Sequence, residues 1–590
     1  MDQIIIFGAG NIGYRAFGAL NKKYEVIAYS DNNASTHGTF VHGKPVIPPG
    51  QIKDLHPDMI VIAMARYGNV GIQLRELGYR NIFIIEFEDN GYEIESVNLK
   101  EFNEKRLYEG CNYGLDCLDY GHKGREHKKK DNKRVLMISY DFPPEGGPGV
   151  QRTLKYVKYL PEFSYEPVVL TCGRDGKYIN DTTLEEEIPE GVRVIRVECD
   201  AMYSWEKITE MGQNLFDLFY GVTRSKGLID ELISVQDMNI GHPLPDEKIV
   251  WAVECIKLIE DVLDLSSIDI IYSTAPSFSQ HILGCYFKRK YGIPWVADYR
   301  DLWASDENYL HLYNQSTTDA EYHLFEKLES ELCKRMDFVI VAGGYWKEGF
   351  VQKYQVQDDR ITEITNGYDE ADFCNRKACN ERNRKFTLCY NGSMRYKNRD
   401  PVFMLKILNE LIEEKKIDAN YIQWVINGQL SSEYLENVGV NDVHGIVKLN
   451  GAISHSDSID ISMQSDLLVF YGEAGELGKI NYPGKFYEYL RFGRRILCFS
   501  GKESFQDIVL QDTGLGVNFD YYQRECIKKY ILSEYLSWKE NSNDAPTVPF
   551  EKIEVFERRN LTRKMADIFD LIETRNVLHE ERGFYDDQNA

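Results

Sequence analysis

The chain contains no uninterrupted apolar run of about eighteen residues, so no segment reads as a membrane-spanning helix. Its first residues, MDQIIIFGAG, lack the basic stretch and small-residue cleavage site of an export signal, and a cytoplasmic location is expected. The twelve cysteines are scattered from Cys111 to Cys526, and none forms a CxxC pair. Neither a zinc ribbon nor a thioredoxin-type site is therefore indicated, and reduced, buried thiols are the expectation. An excess of positive charge is also missing. With 93 acidic side chains against 69 basic ones, the formal net charge is −24. A general nucleic-acid binder needs a basic face, so that class is excluded, whereas local basic pockets are not. The composition is not that of a disordered chain, since 43% of residues are hydrophobic and 13% aromatic. At 590 residues it exceeds the roughly 250–300 that one core serves, so several domains are expected.

What is present starts at the N-terminus. Gln3 to Phe7 is a short apolar run, followed by Gly8-Ala9-Gly10-Asn11-Ile12-Gly13 and helical spacing through Leu20. A second apolar run, Tyr24 to Tyr29, ends at Ser30-Asp31. Glycines at such a turn let the backbone approach a pyrophosphate, and the next helix N-terminus offers free N–H groups. Asp31 stands near the usual place of a ribose-hydroxyl acceptor. Strand signals recur at Met59–Ala63 and Asn81–Ile85. The segment resembles the NAD- or sugar-nucleotide-binding modules of bacterial polysaccharide-biosynthesis proteins. That resemblance implies a nucleotide held by Gly8, Gly10, Asn11, Ile12, Gly13 and Asp31, against a remnant that keeps the fold alone. The module shows no Tyr-x-x-x-Lys pair, so hydride transfer is not expected.

Apolar periodicity fades after Asp89, and His122–Arg134 is strongly basic. Two readings stand: a solvated linker, or a patch that attracts anionic lipid headgroups. Order resumes with the strand Val135–Ser139, the loop Pro143–Gly149, the helical stretch Val150–Leu160 and the strand Glu166–Thr171. A glycine loop at the carboxyl end of a first strand is where open α/β sheets bind ligands. The stretches Phe142-Pro143-Pro144 and Gly146-Gly147-Pro148-Gly149-Val150-Gln151-Arg152 resemble the opening of GT-B glycosyltransferases of the retaining family 4 type. The stretch Ile293–Trp303, with a strand immediately before Asp298, Arg300 and Asp301, and the segment Ile361–Asp369 (ITEITNGYD) extend the likeness.

In the C-terminal half, a strand from Phe386 leads into a turn carrying Arg395, Lys397 and Arg399. The stretch Tyr482-Pro483-Gly484-Lys485-Phe486-Tyr487-Glu488-Tyr489-Leu490 then resembles the family's donor-binding helix. Lys485 in a first helical turn opposes the helix dipole, which argues for a role other than helix stability. Glu488, one turn on, can accept hydrogen bonds from a ribose diol. Many family members carry a further glutamate that would fall here at Ile480, which cannot serve; Glu473 and Glu476 lie nearby. The amphipathic stretch Phe556–Glu573 resembles the terminal helix that crosses back onto the N-terminal half.

The expected fold is therefore α/β with three Rossmann-like units: a nucleotide-binding module over 1–120, a basic linker over 121–134, a GT-B acceptor-side domain over 135–375, a donor domain over 376–555, and a crossover helix and tail over 556–590. The resemblance implies transfer of a hexosyl or N-acetylhexosaminyl unit from a UDP- or GDP-sugar to a glycan or lipid-linked acceptor in surface polysaccharide biosynthesis. It implies retention of configuration and no metal. Arg399 and Lys485 would stabilise the leaving diphosphate, with Asp298 or Asp301 orienting the sugar or taking the acceptor's proton, unless either is a structural partner of Arg300. Gly147, Gly149, Arg152, Gly484, Glu488, Arg395 and Lys397 would line the donor. An NAD(P)-dependent sugar-nucleotide-modifying enzyme and a non-catalytic nucleotide-sugar sensor are the competing classes. The segment Met202–Asp246, with Trp205, Phe216, Phe219 and Tyr220, reads as packing or as an approach to the membrane face. A membrane approach predicts co-sedimentation with anionic liposomes at low salt, reversed in about 1 M salt where the Debye length falls to ~3 Å. No co-sedimentation would assign these residues to packing and the basic run to a linker.

Overall fold

The computed structural model describes residues 2–8, 11–31, 37–63, 74, 77–89, 94–101, 116–118, 132–173, 181–199, 218–219, 222, 245–306, 319–374, 376, 383–392, 394, 400–540 and 546–587. The chain divides into two compact units, Met1–Asp116 and Cys117–Ala590. Three separate sheets, each built on parallel strands with helices between them, make the protein α/β.

The first unit holds a seven-stranded sheet in the order Phe40–Val41, Lys44–Ile47, Glu25–Ser30, Gln3–Phe7, Met59–Ile62, Ile82–Asp89, Ile94–Glu101. Its central strand Gln3–Phe7 pairs in parallel with Glu25–Ser30 on one side and Met59–Ile62 on the other. Ile4 and Ile6 enter the core under the helix Asn11–Leu20, while Ile5 and Phe7 enter a second core on the opposite face. Burial on both faces explains why this strand reads as an unbroken apolar run. The chain leaves the central strand towards one side and later returns on the other, which makes its carboxyl end a topological switch point. Gly8 stands there with a φ of 110°. The last two strands form an antiparallel hairpin, from Phe83↔Glu101 to Asp89↔Ile94, where no strand is expected from the pattern after Asp89. Its polar alternation, IESVNLKE, hides it from an apolar-run criterion.

Within the second unit, seven strands of an eight-stranded sheet run in the order Ile361–Glu363, Phe338–Val341, Trp295–Tyr299, Ile270–Ala275, Lys133–Ile138, Tyr165–Cys172, Arg193–Val197, all seven parallel. The other runs Val447–Gly451, Ile422–Asn427, Phe386–Asn391, Leu467–Tyr471, Arg495–Phe499, Gly516–Phe519, again parallel. The chain passes from the first sheet to the second after Ile364. It returns through the long helix Arg558–Asp587, whose Leu561, Met565, Phe569 and Ile572 join Val135, Met137, Val150 and Leu154 in the first sheet's core.

The outgoing and returning crossings are hydrogen-bonded to each other. Tyr368 N donates to Phe556 O at 3.1 Å, and Arg558 N donates to Tyr368 O at 2.8 Å. The pairing demands glycine at 367, because a Cβ there would stand 2.0 Å from Phe556 O. Gly367→Ala should therefore lower stability by about 1–3 kcal/mol, as overpacked sites do, read as a lower urea midpoint at unchanged slope.

Candidate active site

The two sheets of the second unit are joined beside their carboxyl edges. Tyr345 N donates to Tyr482 Oη at 3.3 Å, Trp346 Nε1 to Ile480 O at 2.9 Å, and Asn366 Nδ2 to Tyr482 O at 3.2 Å. The Tyr482 ring lies so close to Gly343 that a Cβ there would stand 1.9 Å from it. Ile480 thus serves this joint through its carbonyl, and Glu473 is buried at 7% exposure.

On the first-sheet side, Gly147 is the N-cap of the helix Pro148–Tyr159, and no side chain caps that helix. Its φ of 135° is one that L side chains rarely adopt. Gly149 has the Arg300 guanidinium against it: a Cβ would stand 2.1 Å from Arg300 Nη1. Arg300 is therefore engaged at the helix start, where Nη2 also donates to Pro276 O, and is not the partner of Asp298.

That partner is Arg152. Its Nε donates to Asp298 Oδ2 at 2.7 Å and its Nη2 to Asp298 Oδ1 at 2.8 Å, a two-pronged pair. Nη1 donates to Thr365 O at 2.7 Å and Nη2 to Ile364 O at 2.8 Å. Tyr272 Oη and Thr274 Oγ1 also donate to Asp298 Oδ2. Both Arg152 and Asp298 are 0% exposed. Burial alone would lower the guanidinium's pKa; the adjacent Asp298 charge outweighs it and raises it. This geometry gives both residues a structural task and no exposed surface. Asp301 follows on the bend after the strand and is half-buried.

On the second-sheet side, the helix Gly484–Arg491 begins after Pro483 with no side-chain cap. Gly484 opens it, Lys485 follows half-buried, and Glu488 lies one turn on with its side chain 18% exposed. His455 Nε2 is 3.0 Å from Glu488 Oε1. Burial pushes the Glu488 carboxyl up, but His455, Lys485 and Arg558 together bring it below the usual carboxylate range. Burial lowers His455, and Glu488 with Asp372 outweighs this and raises it. Arg395, Lys397 and Arg399 lie outside the described residues, as do Gly10, the basic run up to 131 and most of the segment 202–246.

A charged cluster that sequence patterning missed links the two sides. Lys155 contacts Glu187, Asp369 Oδ2 at 2.7 Å and Asp372 Oδ1 at 3.1 Å; Lys158 contacts Glu187 and Asp369 at 2.8 Å each. Glu187, Asp369 and Asp372 approach closely enough to suit a metal, yet the two ammonium groups are already lodged among them. Burial raises Asp369, and the lysines overcome it to hold the carboxyl far below its ordinary value. Arg558, at the start of the terminal helix, is 4% exposed, and its Nη1 has no hydrogen-bond partner among the described residues. Its pKa is lowered by burial and by Arg152.

A second missed feature spans three neighbouring strands that each end in Asn-Gly. Asn450 Nδ2 donates to Asn427 Oδ1 at 2.7 Å, Asn427 Nδ2 to Asn391 Oδ1 at 2.7 Å, and Asn391 Nδ2 to Ser462 Oγ at 2.6 Å. The repeated Asn-Gly after an apolar run was the available signal. Asn391 N also donates to Tyr489 Oη at 3.0 Å, which ties this ladder to the Glu488 helix.

In the first unit, the strand Glu25–Ser30 ends at Asp31, which is half-buried and whose N donates to Ile47 O at 3.3 Å. Asn11, Ile12 and Gly13 open the helix Asn11–Leu20.

The family described as "C2185-like, N-terminal" matches residues 1–85. No curated protein matches the chain. Among solved structures, a glycosyltransferase from Rickettsia africae shares 12% identity over 75% of this chain and 99% of its own, with a TM-score of 0.47. Anabaena HepE, solved with UDP and glucose, shares 11% over 74% and 99%, at 0.48. WaaG, a glycosyltransferase of lipopolysaccharide biosynthesis, shares 15% over 74% and 99%, at 0.46. At such identities the likeness concerns fold alone, and nothing about the reaction follows from it. No helix among the described residues is long and apolar enough to cross a membrane.

The Arg152–Asp298 geometry makes a direct prediction. Asp298→Asn leaves a buried guanidinium short of its counter-charge and should cost on the order of 3–5 kcal/mol of stability, seen in chemical denaturation. A stable variant with lost activity would instead mark Asp298 as part of the chemistry.

Proposed function

We propose that the second unit is a glycosyltransferase, moving a hexosyl or N-acetylhexosaminyl unit from a nucleotide sugar to a glycan or lipid-linked acceptor. The observation that carries this is Glu488. It is an ionised, mostly buried carboxylate one turn into an uncapped helix, flanked by Lys485, at the joint of two parallel sheets. A fixed carboxylate suits a ribose diol, and a helix N-terminus with a cation beside it suits the diphosphate next to that ribose.

In the transfer, the acceptor hydroxyl oxygen bonds to the anomeric carbon while the bond from that carbon to the diphosphate oxygen breaks. The electron pair departs with the nucleoside diphosphate, so negative charge grows there. Fixed cations and helix N–H groups placed in advance lower that barrier. Lys485 and the N–H groups of the first turn after Gly484 are described; Arg399, with Arg395 and Lys397, joins them by resemblance. Gly147 and Gly149 line the opposite wall, and Asp301 is the candidate to receive the acceptor's proton. Retention of configuration, metal independence and a UDP or GDP donor belong to the same proposal, as do a cytoplasmic site of action and peripheral contact with the membrane face. In the first unit, Gly8 at the switch point supports binding of NAD or a sugar nucleotide, with Asp31 at the ribose.

Slow hydrolysis of UDP- and GDP-sugars should be measurable and should fall at least tenfold in Glu488→Ala and in Lys485→Ala, assayed at a temperature where circular dichroism shows each variant folded. The nucleotide that serves should raise the wild-type unfolding temperature, by about 2.7 kcal/mol of stabilisation at roughly 100 times its Kd. NAD(P)H formation with a sugar nucleotide, and no hydrolysis, would refute the transferase.

A further inference from the structure

We infer that His455 is a positioning residue for Glu488: its ring aims the carboxylate at the donor's ribose hydroxyls and offsets its charge beside the donor's diphosphate. The inference rests on the glycosyltransferase reading of the cleft and adds to it a residue that the chain's patterning does not single out.

The geometry starts with how His455 is held. It is the first residue of the helix His455–Gln464, whose start is fixed by Ser454 Oγ accepting from Asp457 N at 3.0 Å. Its own backbone N donates across the joint to Asp181 Oδ2 at 3.3 Å. The ring therefore has little freedom, and its side chain is 19% exposed against 18% for Glu488. Contact at Oε1 engages that oxygen, and Oε2 has no hydrogen bond among the described residues, so Oε2 is the oxygen assigned to a ribose hydroxyl.

The charges around the pair set its state. His455 faces Glu488 from the helix Gly484–Arg491, Asp372 from the outgoing crossing, Lys155 from the helix Pro148–Tyr159, and Asp181 at its backbone. Three carboxylates against one ammonium favour the imidazolium. Glu488 in turn faces His455, Lys485 on its own helix and Arg558 from the returning crossing. A diphosphate arriving near Glu488 meets a carboxylate whose charge Lys485 and Arg558 offset at every pH of the test and His455 offsets only while it carries its proton. As pH rises through the raised pKa of His455, that offset is lost while Glu488 stays ionised, and donor affinity falls.

Calorimetric titration of the full chain with UDP and with GDP from about pH 7 to about pH 9 tests this. At the lower pH, His455→Gln should bind the nucleotide about tenfold or more weakly than wild type, the range expected for losing a charge-assisted contact. The ratio of the two Kd values should shrink towards one as pH rises, since glutamine does not titrate; taking the ratio cancels ionisation of the nucleotide itself. Glu488→Gln, the second variant, should lose the same pH dependence, which keeps the test decisive if His455→Gln folds poorly. A ratio that stays constant across the range, or equal affinities throughout, overturns the positioning role and leaves the transferase reading standing. Failure of the wild type to bind either nucleotide overturns both.

Discussion

A guanidinium enclosed without water must place its N–H groups on acceptors, and Arg152 places them on two parts of the chain that have to stay together. Two go to Asp298 at the end of a central strand, and two to the carbonyls of Ile364 and Thr365, where the chain leaves the first sheet for the second. The crossing is thereby anchored to the sheet before it begins. From that anchor follow the position of Gly367, the pairing of Tyr368 with Phe556 and Arg558, and the entry of the terminal helix into the first core. An ion pair so deep is weak evidence for stability in itself, because desolvation offsets much of its attraction. Its value here is directional: only one arrangement of strand, helix and crossing satisfies the fork.

The charged cluster beside it works on different terms. Lys155 and Lys158 from the first helix meet Asp369 and Asp372 from the crossing and Glu187 from the turn that follows the second strand. Each lysine contacts more than one carboxylate, so the group behaves as a network rather than as separate bridges. The cluster also acts on His455, whose pKa Asp372 raises and Lys155 lowers. Residues that fix the crossing therefore also act on the imidazole beside the candidate donor site.

Much of the fold is legible because parallel strands buried on both faces announce themselves. QIIIF, FVIV and LLVFY need no partner information to be read as strands, and the glycines after them mark the turns. The hairpin strand Ile94–Glu101 is not legible, since its alternation is polar and its pairing is settled by contact with Phe83 to Asp89. The site divides in the same way. Glu488 and Lys485 stand in a local motif whose helix position has physical meaning. Arg152 and Asp298 were visible as chemistry-bearing residues, but only the fold shows that they face each other across 146 positions. His455 and Arg558 carry no local signal, because what distinguishes them is a neighbour supplied by another element.

This has a consequence for how the site can exist at all. The groups around Glu488 come from its own helix, from the helix beginning at His455 and from the start of the terminal helix, and the last of these is held in the core of the opposite sheet. His455 and Lys485 meet Glu488 within the second sheet's half, whereas the Arg558 charge reaches it only when the terminal helix is docked on the first sheet. A ligand that draws on Arg558 as well as Glu488 therefore adds its binding free energy to the stability of the returning crossing. In a chain with a formal charge of −24, the cations that would meet a diphosphate need not be numerous, provided acidic groups at the joint are paired with arginine and lysine. Asp298 is paired in that way with Arg152, and Asp369 and Glu187 with Lys155 and Lys158, so these carboxylates are held by cations of their own before a diphosphate arrives.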